Sequence, residues 1–237
     1  MTAAPRPFRL AARLLLSLLA AVFMPAGTAL AETGNVTIAT SGTPGAAARL
    51  ILAQATYQAA MRTGDAVLLL ASIRLARTVT LRPPTSWTRD TTGEASTDEA
   101  GGNAAPPDPA APRTIAILQA LAGEDPSLQD LVYDLDAQLP PGRQVTATRA
   151  TSELSGAQTD IWRIALSGAV PTELGLIGDG DSPLGLTVTD DAGTVVCALP
   201  PGNAPGLCRF TPARNGFFSV AVRNAATVRN SYFLIGN

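Results

Sequence analysis

The strongest constraint on this chain lies in its last 95 residues, where apolar and polar residues alternate in short runs broken by turn residues. Runs at 144–149, 160–166, 172–177, 184–189, 194–198, 207–210, 217–224 and 231–235 read as strands. Leu184, Leu186 and Val188 share one face, as do Phe218, Val220 and Val222. Asp190-Asp191-Ala192-Gly193 is a hairpin signal between two runs. Many short strands at this spacing predict an antiparallel β-sandwich, jelly-roll-like, over residues 143–237.

Before Pro140-Pro141-Gly142 the period is helical. Residues 45–61 carry Leu50, Tyr57 and Met61 with alanine between them. Gly64 suits a left-handed helix end, and Asp65 caps a second helix from Ala66 to about Thr78. That helix is apolar nearly all round and should be buried on more than one side. The pair forms a helical hairpin within 32–81. A further helical segment, 113–140, is expected to pack with it. Ile115 and Leu118 line one face of its first part. Asp125-Pro126 then opens a helix with Leu128, Leu131, Val132, Leu135 and Leu139 in register. Asp130, Asp134 and Asp136 on its outer side read as a solvated face. Between the helical parts, residues 82–112 are rich in Pro, Gly, Ala and Thr and hold one large apolar residue, Trp87. This composition predicts a flexible loop, with Trp87 tucked into a neighbouring groove. The fold class is therefore α+β in several parts: an N-terminal helical unit, then a C-terminal sandwich.

The first 31 residues read as a signal peptide. Arg6, Arg9 and Arg13 precede an apolar run over 14–24, then Pro25 and Gly27 break it, and Ala29-Leu30-Ala31 supplies the small residues of a cleavage site before Glu32. Cleavage leaves no membrane anchor and predicts a periplasmic or secreted protein. Cys197 and Cys208 are the only cysteines. In an exported chain a lone pair is expected to be a disulfide, and neither C-x-x-C spacing nor a histidine partner points to redox or metal chemistry.

Composition narrows the chemistry. The chain has no His and no Lys; all 17 bases are Arg. Imidazole bases, Schiff-base lysines, Ser-His-Asp triads, His-ligated zinc and P-loops are absent with them. The mature part carries 14 Arg against 19 acids, which argues against nucleic-acid binding through a basic face. A carboxylate-type hydrolase is the weakest reading, because aromatics are only 5% of the chain and sugar clefts are usually aromatic-lined.

Residues 160–237 resemble the bacterial pre-peptidase C-terminal domain. The matching pieces are Ile161-Trp162-Arg163-Ile164, Gly178-Asp179-Gly180-Asp181 and Leu184-Gly185-Leu186-Thr187-Val188-Thr189-Asp190 with Gly193. After the two cysteines come Phe210-Thr211-Pro212, Gly216-Phe217-Phe218, Val222-Arg223-Asn224 and Asn230-Ser231-Tyr232-Phe233-Leu234. The resemblance implies a secreted jelly-roll-like sandwich that accompanies exported enzymes as a non-catalytic binding or accessory module, with a protein or glycan of the cell envelope as partner. It also implies an acidic calcium loop. Here Pro183 and Gly185 replace two of the acids, which leaves Asp179, Asp181 and Asp190 as weak Ca²⁺ candidates, with Asp191 beside them. An alternative function is a carbohydrate- or Ca²⁺-binding module using those loops.

Overall fold

The computed structural model describes residues 34–37, 44–96, 105–137 and 145–237. The export segment at 1–31 and its cleavage site lie outside these residues, as does the Pro140-Pro141-Gly142 break.

Among the described residues, four helices form where the apolar period predicts them. They are α1 (Ala46–Thr63), α2 (Ala66–Arg77), α3 (Pro112–Ala122) and α4 (Pro126–Ala137). Gly64 ends α1 at φ 66°, ψ 27°, a left-handed conformation that glycine adopts without strain. Asp65 Oδ1 then accepts the Val67 and Leu68 N–H groups at 2.8 and 3.0 Å, capping α2. Asp125 caps α4 in the same way through Ser127 and Leu128. Leu69, Leu70 and Ile73 of α2 are buried against Tyr57, Ile115, Leu118, Val132 and Leu135, so α2 is the centre of the helical layer. Only Val67 among its large apolar residues is exposed.

The start of α1 has a different cap. Its N-cap is Gly45, which has no side chain to offer. Glu173, from a strand 128 residues away, fills the role: Oε1 accepts the Gly45 N–H and Oε2 the Ala48 N–H, both at 2.9 Å. Arg209 holds the same carboxylate at 2.9 Å.

Among the described residues, ten strands form two five-stranded sheets. The strands are β1 (Val79–Arg82), β2 (Thr88–Thr92), β3 (Val145–Leu154), β4 (Thr159–Leu166), β5 (Thr172–Gly178), β6 (Leu184–Thr189), β7 (Val195–Gly202), β8 (Gly206–Phe210), β9 (Gly216–Asn224) and β10 (Asn230–Gly236). One sheet runs β1-β3-β10-β5-β8 and the other β2-β4-β9-β6-β7. Every pairing is antiparallel except β1 with β3. The facing sides carry Leu186, Val188, Phe218, Val220, Val222, Tyr232 and Leu234, all buried, as the alternation predicts. The first sheet is covered on its outer side as well. Ala46, Ala47, Leu50 and Ala53 of α1 lie on Ala147, Ile177, Phe233 and Ile235. That second cover explains why β10 is buried at every residue instead of alternating.

Two expectations are corrected. Residues 82–112 are not one loop. Arg82 ends β1, and Thr88–Thr92 is β2, pairing with β4 from Thr88↔Arg163 to Thr92↔Thr159. Backbone pairing at a sheet edge orders this polar stretch, a gain that composition does not register. The boundary drawn before residue 143 is not a division of the fold either, because residues 33–237 form one unit. Strands from the N-terminal half complete both sheets. Trp87, in the crossing between β1 and β2, does tuck in. Its ring meets Trp162 edge-on at 6.3 Å and lies against Gly236, where a Cβ would come within 2.9 Å of it.

Cys197 on β7 and Cys208 on β8 form a disulfide. These strands are the outer edges of different sheets, so the bond joins the sheets along one side.

Candidate functional site

The acids singled out for Ca²⁺ fall into two places. Asp179 and Asp181 lie before β6, and Asp190 lies after it. Six strand residues at about 3.3 Å each separate the two ends by roughly 20 Å. The three carboxylates therefore do not converge. Among the described residues no group of three or more His, Cys, Asp or Glu is placed to hold a metal.

Each place has a structural use. Asp179 Oδ1 accepts the Asp181 N–H at 3.0 Å and Oδ2 accepts the Ser231 N–H at 2.6 Å, fixing the turn to β10. Burial pushes the Asp179 carboxyl above the usual range, against the pull of those two bonds. Asp190 accepts the Asn35 N–H at 2.6 Å through Oδ2, and the Ala192 and Thr194 N–H groups at 3.0 and 2.8 Å through Oδ1. Burial alone pushes the Asp190 carboxyl up, but these three donors and the Arg214 charge bring it below the usual range. Asp191 pairs with Arg214 at 3.0 Å on the surface.

A third acid, not singled out from the sequence, is fully buried between the sheets. Asp160 accepts the Tyr232 O–H at 2.5 Å, the Ser152 hydroxyl at 3.1 Å and the Thr91 hydroxyl at 2.5 Å. Arg89 lies 3.4 Å away, hydrogen-bonds Ser152, and sits 5.7 Å from the Trp162 ring centroid. Trp162 Nε1 donates to the Tyr232 oxygen at 2.7 Å. Burial first, and then the Asp160 carboxylate, push the Tyr232 phenol well above its ordinary pKa. Such a cluster resembles an acid–base site, but its oxygens face fold residues on strands of both sheets. One sequence signal was available: Asp160 is in phase with Trp162 and Ile164, so period two aims it inward.

Asp160, Glu173 and Asp190 are the buried carboxylates among the described residues. One binds hydroxyls and an Arg, one caps α1 and one holds a turn. The interior acids are thus bound to the fold.

Concavities among the described residues include two that could be considered as sites. One lies under Pro107–Pro109 and is lined by the buried Gln54; its volume, about 10 Å³, matches one water and no metabolite. The other is a groove of about 290 Å³ between α3 and α4, lined by Gln119, Ala122, Gln129, Val132 and Tyr133. Tyr133 is 75% exposed on its rim. Asp130 and Asp134 are exposed too, as the solvated-face expectation has it.

No protein-family model matches this chain, and no curated protein does. Solved structures similar to part of it include PliG of Aeromonas hydrophila, a periplasmic inhibitor of g-type lysozyme. It is 10% identical over 38% of this chain and 84% of its own, with a TM-score of 0.30. A de novo designed double-stranded β-helix is 12% identical over 38% and 97%, at 0.26. The C-terminal carbohydrate-binding module, of family 6, from the laminarinase LamC of Zobellia galactanivorans is 8% identical over 38% and 90%, at 0.25. Scores this low carry no assignment.

Proposed function

We propose that the mature protein is an exported, non-catalytic accessory module of the cell envelope, binding a protein or glycan through its surface. In this reading residues 160–237 are a sandwich of the pre-peptidase C-terminal kind, backed by the helical layer. The observation that carries it is the commitment of the three buried carboxylates among the described residues to the fold. With no His, no Lys and both cysteines in a disulfide, the usual catalytic groups are missing, and the buried carboxylates among the described residues are occupied. The leader-like N-terminus and the disulfide support an oxidising destination.

Expression with the native leader, followed by fractionation and intact mass, tests export. Expected is a species beginning at Glu32 in the periplasm or medium, with no titratable thiol after denaturation. Retained Met1 on membranes, or two free thiols, would sink it. Co-sedimentation of the mature protein with isolated envelopes tests binding. Protein left wholly in the supernatant at micromolar concentration removes that half of the proposal.

A further inference from the structure

We infer that Trp87, Trp162 and Tyr232 form an electron relay, through which a one-electron oxidant at the surface oxidises the buried Tyr232 phenol while its proton passes to Asp160. The relay goes beyond envelope binding and does not depend on it.

The chain has two Trp and three Tyr. Both Trp and one of the Tyr stand in a single row. Trp87 is partly exposed in the crossing between β1 and β2. Its ring lies 6.3 Å from that of Trp162, edge to face, which is contact for two indoles. Trp162 is buried, and its Nε1 donates to the Tyr232 oxygen at 2.7 Å. Tyr232 has no exposure at all, and its O–H donates to Asp160 Oδ2 at 2.5 Å. Indole and phenol rings give up one electron more readily than any other side chain except a free thiol, and here both cysteines are in a disulfide. The row therefore runs from the surface inward through the most oxidisable groups of the chain.

The inner end is equipped to take the proton. A phenol that loses an electron becomes a strong acid and needs an acceptor within hydrogen-bond reach. Burial and the Asp160 carboxylate keep the Tyr232 phenol protonated, so its electron and proton leave together. The O–H bond breaks at Tyr232, and a new O–H bond forms on Asp160 Oδ2. The electron passes from Tyr232 to Trp162, from Trp162 to Trp87, and from Trp87 to the oxidant, which is reduced by one electron. A neutral phenoxyl radical and a neutral carboxylic acid remain. Arg89, 5.7 Å from the Trp162 ring centroid, opposes a cation on that ring. The vacancy therefore does not rest on Trp162 but moves on to Tyr232, where loss of the proton leaves no charge to oppose.

The test is pulse radiolysis of the mature protein with azide radical, which oxidises indole at neutral pH, followed by the indolyl and phenoxyl absorptions. The indolyl signal is expected to decay as the phenoxyl signal grows, at a rate independent of protein concentration and slower in heavy water. Tyr232→Phe keeps the ring and removes the O–H, and is expected to abolish that growth. Tyr133→Phe, at the exposed tyrosine, is expected to leave it unchanged. Trp162→Phe should strand the radical on Trp87, with no phenoxyl growth. Growth that persists in Tyr232→Phe or in Trp162→Phe, or that is lost in Tyr133→Phe, overturns the relay. So does growth that depends on protein concentration in the parent, a measurement that stands even if a core variant fails to fold. An equal rate in heavy water removes Asp160 as the proton acceptor.

Discussion

Replacing Glu173 by alanine is the sharpest probe of how the helical layer is attached to the sandwich. In the parent, one carboxylate accepts the first free N–H groups of α1 and also meets Arg209. Losing a helix cap costs about 1 kcal/mol and up to about 2. Here the stranded Gly45 and Ala48 donors face a buried junction, where an unpaired N–H costs about 1–3 kcal/mol. The Arg209 contribution is small, because that side chain is 44% exposed. These overlapping effects sum to about 2–4 kcal/mol. For a unit of this size that lowers Tm by about 5–10 °C. Glu173→Gln keeps one acceptor oxygen and should lose roughly half as much. Urea unfolding gives the stability difference, and amide exchange at Gly45 and Ala48 locates it. A Glu173→Ala protein within about 0.5 kcal/mol of the parent, with unchanged protection at those two amides, would refute the cross-chain cap.

Other outcomes follow from the same structure. Cys197→Ala with Cys208→Ala should cost about 3 kcal/mol in urea unfolding, since the bridge closes a loop of 11 residues' separation; an unchanged midpoint would show the sheets hold together without it. Asp190 has a lowered folded pKa, so its stabilisation is full above its unfolded pKa and is lost as pH falls through the folded value. Asp190→Ala should therefore be less stable than the parent at neutral pH by about 1–3 kcal/mol, with the gap closing on acidification; a gap constant with pH contradicts this. Millimolar Ca²⁺ should leave the melting temperature unchanged, because Asp179 and Asp181 are a strand's length from Asp190; a rise of more than about 2 °C would reinstate a calcium site.

The parts legible in the sequence were those set by local period and local caps. The helices ended where Gly64 and Asp65 stand, and the strands from β3 to β10 matched the alternating runs to within one residue, except that β3 and β7 run five and four residues further. What escaped depended on partners far along the chain. Nothing in Thr88-Arg89-Asp90-Thr91-Thr92 is apolar, so its role as an edge strand depends on β4, about 70 residues away. Glu173 reads as an exposed acid in a strand until α1 is seen lying beside it. Asp160 shows the reverse. Its phase was visible, but only the arrival of Tyr232 and Ser152 from the other sheet shows why a carboxylate can be tolerated there. At the candidate sites, sequence located the acids but not their separation, because β6 puts its length between them.

The place of β1 and β2 in the sheets has a consequence for the order of folding. Both strands are made early by a ribosome working from the N-terminus, yet neither has a partner until β3 and β4 have been synthesised. The helical hairpin can form from local contacts alone, while residues 79–92 must wait through more than 50 further residues before they can pair. During that interval the chain carries two unpaired strands. The polar sequence of β2, which hid it as a strand, also limits what it can stick to while it waits. Pulsed exchange during refolding should accordingly protect amides in α1 and α2 before those in β1 and β2.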